Sequence, residues 1–210
     1  MEEVVKTIAK VLRRDSGKIS PDDSLQALGV GSSIVLEILR SSLERKYQKR
    51  VTPLTLNMRV REIIDLIEGE QQPVPAVPLS SGFETQSPRT VSFGLGVGID
   101  IEEVDSLPNI SDLREHPFYT ATFSSEELAT AILKPEPKVH LCGIFCAKEA
   151  LRKSSPALLT LRFSEILTFH EEGRPRVTTS FSNLNNSFRF ELSISHTSHY
   201  ATAVVIALRI

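Results

Sequence analysis

The sequence predicts two domains: a small all-α helical bundle, followed by an α+β domain with helices packed on an antiparallel sheet. Three observations predict this. Apolar residues recur at helical spacing over the first 70 residues. Four of the 12 prolines, Pro73, Pro75, Pro78 and Pro88, fall in a stretch with almost no charge. Beyond it, apolar runs alternate between the period of a strand and that of a helix. The expected boundaries are 1–70 for the bundle, 71–92 for a linker and 93–210 for the α+β domain.

In the bundle, Val4, Ile8, Val11 and Leu12 lie on one helix face. Asp15 to Asp23 is polar, with Gly17 and Pro21, and reads as a loop. A second helix is predicted from about Ser32 to Tyr47, with Ser32 or Ser33 as its cap and Leu36, Leu39, Leu43 and Tyr47 as its buried stripe. Val60, Ile63, Ile64 and Ile67 mark a short last helix. The linker alternates proline with small residues, which blocks helix and central strand and favours an extended tether with a flexible middle.

In the second domain, VSFGLGVGIDIEEV reads as a strand. Ser124, with Glu127 three residues on, forms a capping box for the helix SEELATAIL. Residues 138–153 form a further helix with Leu141, Phe145 and Leu151 inside. LRFSEILTFH and FELSISHTSHYATAVVIAL read as strands, and Gly173, Arg174 and Pro175 as a turn.

Composition narrows the function classes. The chain has 210 residues, 40% hydrophobic and 24% charged, which suits a buried core and a solvated surface. No apolar run reaches the roughly 18 residues of a membrane span, and the acidic, amphipathic start is unlike a secretory signal. Net charge is −2, partitioned as +1, 0 and −3 over the three segments, which argues against a nucleic-acid partner. Two cysteines, Cys142 and Cys146, cannot build a disulfide framework and are weak for zinc, so a reducing, cytoplasmic setting and a packing role are expected.

Asp100 and Glu102 lie two apart on a predicted strand, so their carboxylates share a face. Glu149 sits on the helix within FCAKEAL, between Lys148 and Lys153. Three converging carboxylates would suit Mg²⁺, which takes one or two carboxylates plus substrate phosphates. Taken singly, these residues also read as a strand end and a solvated helix face, and His196 as an ordinary core or surface histidine.

The motifs VGIDIEEV, FSSEEL, FCAKEALRK, GRPRV and ISHTSHYATAVVI, in this order, resemble the 4′-phosphopantetheinyl transferases, specifically the small holo-acyl-carrier-protein synthase class. The resemblance covers residues 94–210. It implies transfer of the phosphopantetheine arm of coenzyme A, the co-substrate, to a carrier-protein serine, with release of adenosine 3′,5′-bisphosphate. It implies that Asp100 and Glu149 hold Mg²⁺, with Glu102 or Glu103 as third ligand. It makes Asp100, Glu149 and Lys153 the catalytic residues, with Glu149, directly or through a water, taking the serine proton. Lys148, Lys153, Gly173, Arg174, Pro175, Ser195 and His196 become the coenzyme A contacts. The small class completes its site between subunits, so a homotrimer is implied. Two departures stand out: Ile144 replaces an arginine before the AKEA motif, and SSPALLT replaces a Gly-Thr-Gly turn.

The segment DDSLQALGVGSSIVLEILRSSLERKYQKRVTPLTL resembles an acyl or peptidyl carrier protein around its phosphopantetheine attachment serine. Counting forward from Leu28-Gly29 selects Ser32, and counting back from the helix stripe selects Ser33. The stripe is the more rigid ruler and favours Ser33. Gly31 stands where the family has aspartate, and the helix ends basic. The fusion implies that carrier domains, in cis or in trans, are the partners. The alternative is a carrier held on a catalytically dead, trimerising scaffold.

Overall fold

The computed structural model describes residues 2–51, 54–69, 94–109, 113 and 115–210. The expected linker, 71–92, lies outside the described residues.

Among the described residues up to Gly69 there are three α-helices: α1 (Glu2–Leu12), α2 (Ser33–Tyr47) and α3 (Val60–Glu68). Their facing apolar positions, among them Val4, Ile8, Leu39, Leu43, Val60 and Ile63, are buried together in one core. Ser32 is the N-cap of α2, its hydroxyl accepting from the Val35 N–H at 3.3 Å. Ser33 is therefore the first helical residue.

The second domain runs β1 (Leu95–Glu103), α4 (Pro117–Thr122), α5 (Ser125–Ile132), α6 (Pro137–Lys153), β2 (Ile166–Glu171), β3 (Arg174–Thr179), α7 (Ser182–Ser187), β4 (Phe188–His196) and β5 (Tyr200–Arg209). Two antiparallel sheets form, one ordered β1-β5-β4 and the other the hairpin β2-β3. The α+β prediction thus holds, with two sheets. The first half of LRFSEILTFH is a 3₁₀ turn at Phe163–Glu165, because Phe163 is drawn inward to stack on Phe145 at 4.9 Å. The hairpin turn is Glu172-Gly173, both at positive φ (50° and 77°), so Arg174 and Pro175 belong to β3 and not to the turn. The Ser124–Glu127 capping box is present.

Helix α6 is the spine of this domain. It packs on β1 and β5 and is buried along most of its length. Cys142 and Cys146 are free and fully buried on it, and the Cys142 thiol together with burial pushes the Cys146 thiol up. Strand β1 lies so close to α6 that a Cβ on Gly98 would sit 1.8 Å from the Ala150 carbonyl oxygen. Glycine lets the strand touch the helix backbone, and side chains two and four residues on then face the helix end.

Helix α2 is shared between the two domains. Leu39 and Leu43 enter the bundle core, while Ile34, fully buried, belongs to the core of the second domain. The buried stripe read from the sequence was one face of a helix that has two.

Candidate active site

Asp100 and Glu102 alternate with exposed neighbours on β1 and are each 5% exposed. Their shared parity with Gly98 turns both toward α6, which ends in Glu149, Arg152 and Lys153. Lys153 Nζ donates to Asp100 Oδ1 at 2.7 Å and lies 3.9 Å from Glu149 Oε1. Arg152 binds the other Glu149 oxygen at 2.8 Å and rests over the Phe163 ring.

Glu102 turns to the other domain. Its Oε1 accepts both the Ser33 hydroxyl, at 2.7 Å, and the Ser33 backbone N–H, at 2.9 Å. The carboxylate sits at the N-terminus of α2, where the orphan N–H groups and the helix dipole favour negative charge. One cavity of about 440 Å³ is lined by Ser32, Ser33, Asp100, Glu102, Glu149 and Lys153 together with Gly31, Leu36, Leu56 and two β1 isoleucines.

Burial raises the pKa of Glu102, opposed by the Ser33 hydroxyl and reinforced by Asp100. Burial also raises that of Glu149, opposed by Arg152 and Lys153. At Lys153 burial pulls downward, but the Asp100 and Glu149 carboxylates outweigh it and the pKa is raised.

Among the described residues, no group of three or more His, Cys, Asp or Glu side chains is arranged to hold a metal ion. The pair Asp100 and Glu149 nonetheless fits a hard cation. Asp100 Oδ2 is buried without a hydrogen-bond partner, and Mg²⁺ needs only one or two carboxylates when phosphates complete its shell. Glu103 points out from the strand and accepts from Tyr200 Oη at 3.0 Å.

The remaining expected contacts divide. Pro175 and His196 line a second cavity, also about 440 Å³, with His140, His170 and Ile144 among its other walls. It shares no lining residue with the first. Gly173, Arg174 and Ser195 line neither. Lys148 is a correction to the expected coenzyme A contact. It is fully buried, and its Nζ donates to Glu127 Oε2 at 2.6 Å, the Thr122 carbonyl at 2.8 Å and the Phe163 carbonyl at 3.2 Å, so no surface remains for a ligand. Sequence spacing did not find the partner of Glu102, because only the docking of α2 on β1 brings Ser33 to that carboxylate.

The helical bundle thus presents the Ser33 hydroxyl to a cavity lined by carboxylates and a lysine of the α+β domain, an arrangement that suits a carrier domain joined to an enzyme of group transfer. The comparisons agree. Residues 96–205 match the model of the 4′-phosphopantetheinyl transferase superfamily, and residues 2–67 match that of the phosphopantetheine attachment site. The chain belongs to the 4′-phosphopantetheinyl transferase superfamily and carries an N-terminal carrier domain. It is similar to the holo-[acyl-carrier-protein] synthase of Chlorobaculum parvum, 31% identical over 52% of this chain and 95% of that one. The synthase of Caldanaerobacter subterraneus subsp. tengcongensis is 34% identical over 53% and 93%. A crystal structure of a Bacillus anthracis holo-(acyl-carrier-protein) synthase is 27% identical, with a TM-score of 0.44 and coverage of 55% and 96%. Among the described residues, no helix is long and apolar enough to cross a membrane.

Proposed function

We propose that this chain transfers the 4′-phosphopantetheinyl group of coenzyme A onto Ser33 of its own carrier domain, releasing adenosine 3′,5′-bisphosphate. The observation that carries this reading is the Ser33 hydroxyl, 2.7 Å from Glu102 and in one cavity with Asp100, Glu149 and Lys153. Ser33 Oγ attacks the pantetheine-bearing phosphorus. The bond from that phosphorus to the bridging oxygen breaks, and its electron pair leaves on the bisphosphate. Glu102 Oε1, which already accepts the hydroxyl, receives the proton and passes it to solvent. Glu102, and not Glu149, touches the nucleophile. Lys153 neutralises diphosphate charge from its place between Asp100 and Glu149. Asp100 and Glu149 would hold Mg²⁺, which when bound supplies further neutralisation of the diphosphate.

Pro175 and His196, expected among the coenzyme A contacts, lie in a cavity separate from the one that holds Ser33. This supports a site completed by a second copy. So does the outer face of β1, where Leu95, Val97, Ile99 and Ile101 are 55–64% exposed and adjoin exposed Ile206 and Leu208 of β5. A homotrimer through this face fits both observations, and other carriers would be substrates in trans.

The test is intact mass and peptide mapping after incubation with coenzyme A and Mg²⁺. A gain of one phosphopantetheinyl group on Ser33, absent in Ser33→Ala and Asp100→Ala, is expected. Modification elsewhere, or wild-type turnover in Asp100→Ala, overturns the reading.

A further inference from the structure

A cleft of about 900 Å³ lies between the two domains and shares no lining residue with the cavity that holds Ser33. Lys6, Lys10 and Arg13 line it from the α1 side, and Arg45 and Lys46 from α2. Among its lining residues Asp105 is the one carboxylate, and Lys138 already meets it at 3.5 Å. Glu3 meets Lys46 at 3.0 Å and Lys6 at 3.2 Å. Among the described residues Lys10, Arg13 and Arg45 form no ion pair, and the Arg45 guanidinium reaches the Glu115 carbonyl at 3.5 Å. Burial, then the Arg45 charge, lowers the pKa of His116, which also lines the cleft, as an uncompensated cation does. The helix dipole does not account for this gathering. Lys46, in the last turn of α2, donates to Thr7 at 2.9 Å near the start of α1, so the cations collect beside a helix N-terminus as well as beside a C-terminus. The other walls are apolar, with Leu107, Pro108 and Pro117 of the transferase domain. Ser42, one turn before Lys46, lines the cleft with a hydroxyl that has no partner among the described residues.

We infer that this cleft binds a small molecule carrying two or more linked phosphates. Its volume is in the range of small-molecule sites. Guanidinium and ammonium groups with a hydroxyl beside them are the donors that phosphates take. The cations spread over about 10 Å along α1, which suits a chain of phosphates better than a single ion. The apolar walls suit a base or an aliphatic body attached to that chain. Because the ligand touches both domains, it stabilises their docked arrangement.

The experiment titrates the full-length protein with inorganic tripolyphosphate by calorimetry, without Mg²⁺ and at physiological ionic strength. Binding is expected in wild type and in Lys153→Ala. It should weaken by at least about tenfold in the double variant Lys10→Gln with Arg13→Gln, and again in the single variant Arg45→Gln, each having lost a charge-assisted hydrogen bond. All three side chains are exposed, so melting without ligand should match wild type in both variants. No binding to wild type overturns the inference. Binding lost in Lys153→Ala and kept in the cleft variants places the anion in the catalytic cavity and also overturns it. Sulfate binding as tightly at matched ionic strength reduces the effect to charge screening and does the same. Hexaglutamate binding more tightly than tripolyphosphate makes the cleft a face for an acidic protein and refutes the phosphate assignment. Adenosine triphosphate separates two sources: tighter binding than tripolyphosphate assigns a nucleotide, equal binding assigns the inorganic chain, and either supports the site.

Discussion

Replacing Lys148 with methionine tests whether that lysine serves the ligand or the core. Methionine keeps the unbranched stem and removes the ammonium. The Thr122 and Phe163 carbonyls then lose a donor, and Glu127 loses its counter-charge. Glu127 keeps the N–H of Ser124 and both the N–H and hydroxyl of Thr168, so its hydrogen bonds survive while its charge stands uncompensated at 4% exposure. Breaking a buried pair by deleting one partner costs about 3–5 kcal/mol. For a chain of this size that lowers Tm by about 6–20 °C. Calorimetry or circular dichroism reads the shift, and the KM for coenzyme A is measured well below the melting range. The expected result is a large fall in Tm with KM unchanged, and partial recovery in the double variant Lys148→Met with Glu127→Gln, which removes the stranded charge. A loss below about 1 kcal/mol together with a raised KM would refute the buried-anchor reasoning and return Lys148 to the phosphates.

Three further outcomes follow from the same geometry. Gly98→Ala forces β1 off α6, costing about 1–3 kcal/mol and separating Asp100 from Lys153, so Ser33 loading and stability fall together; wild-type melting would refute the close approach. Ser32→Ala removes the α2 cap, costs about 1 kcal/mol and leaves modification on Ser33, whereas loss of the modified peptide would reassign the attachment site. His116 Nδ1 accepts the Phe118 N–H at the start of α4, and burial, then the Arg45 charge, holds its pKa below the usual 6.5. The folded state thus favours neutral imidazole. Its stabilisation is present above 6.5 and is lost as pH falls through the lowered value. Melting at pH about 7.5 and about 5.5 should differ less in His116→Asn, a cap that does not titrate; an identical pH dependence would discount His116.

The order of apolar periods was enough to read a bundle and an α+β domain, because helix and strand spacing are local properties of the chain. The parity of Asp100 and Glu102 on β1 was legible for the same reason, as was the placing of Glu149 and Lys153 one turn apart on α6. The choice between Ser32 and Ser33 was not. The helix stripe favoured Ser33 and the count from Leu28-Gly29 selected Ser32, and only the fold makes Ser32 the cap and turns Ser33 onto a carboxylate 69 residues away. Lys148 looked like its neighbour Lys153, yet one helix face meets the buried Glu127 and the other the open end of β1. The second buried face of α2 was equally invisible, since Ile34, Glu37 and Arg40 are out of step with the stripe that packs the bundle. What lies across from a helix face is decided by long-range docking, where burial, ion pairing and cavity shape act between segments that sequence spacing does not connect.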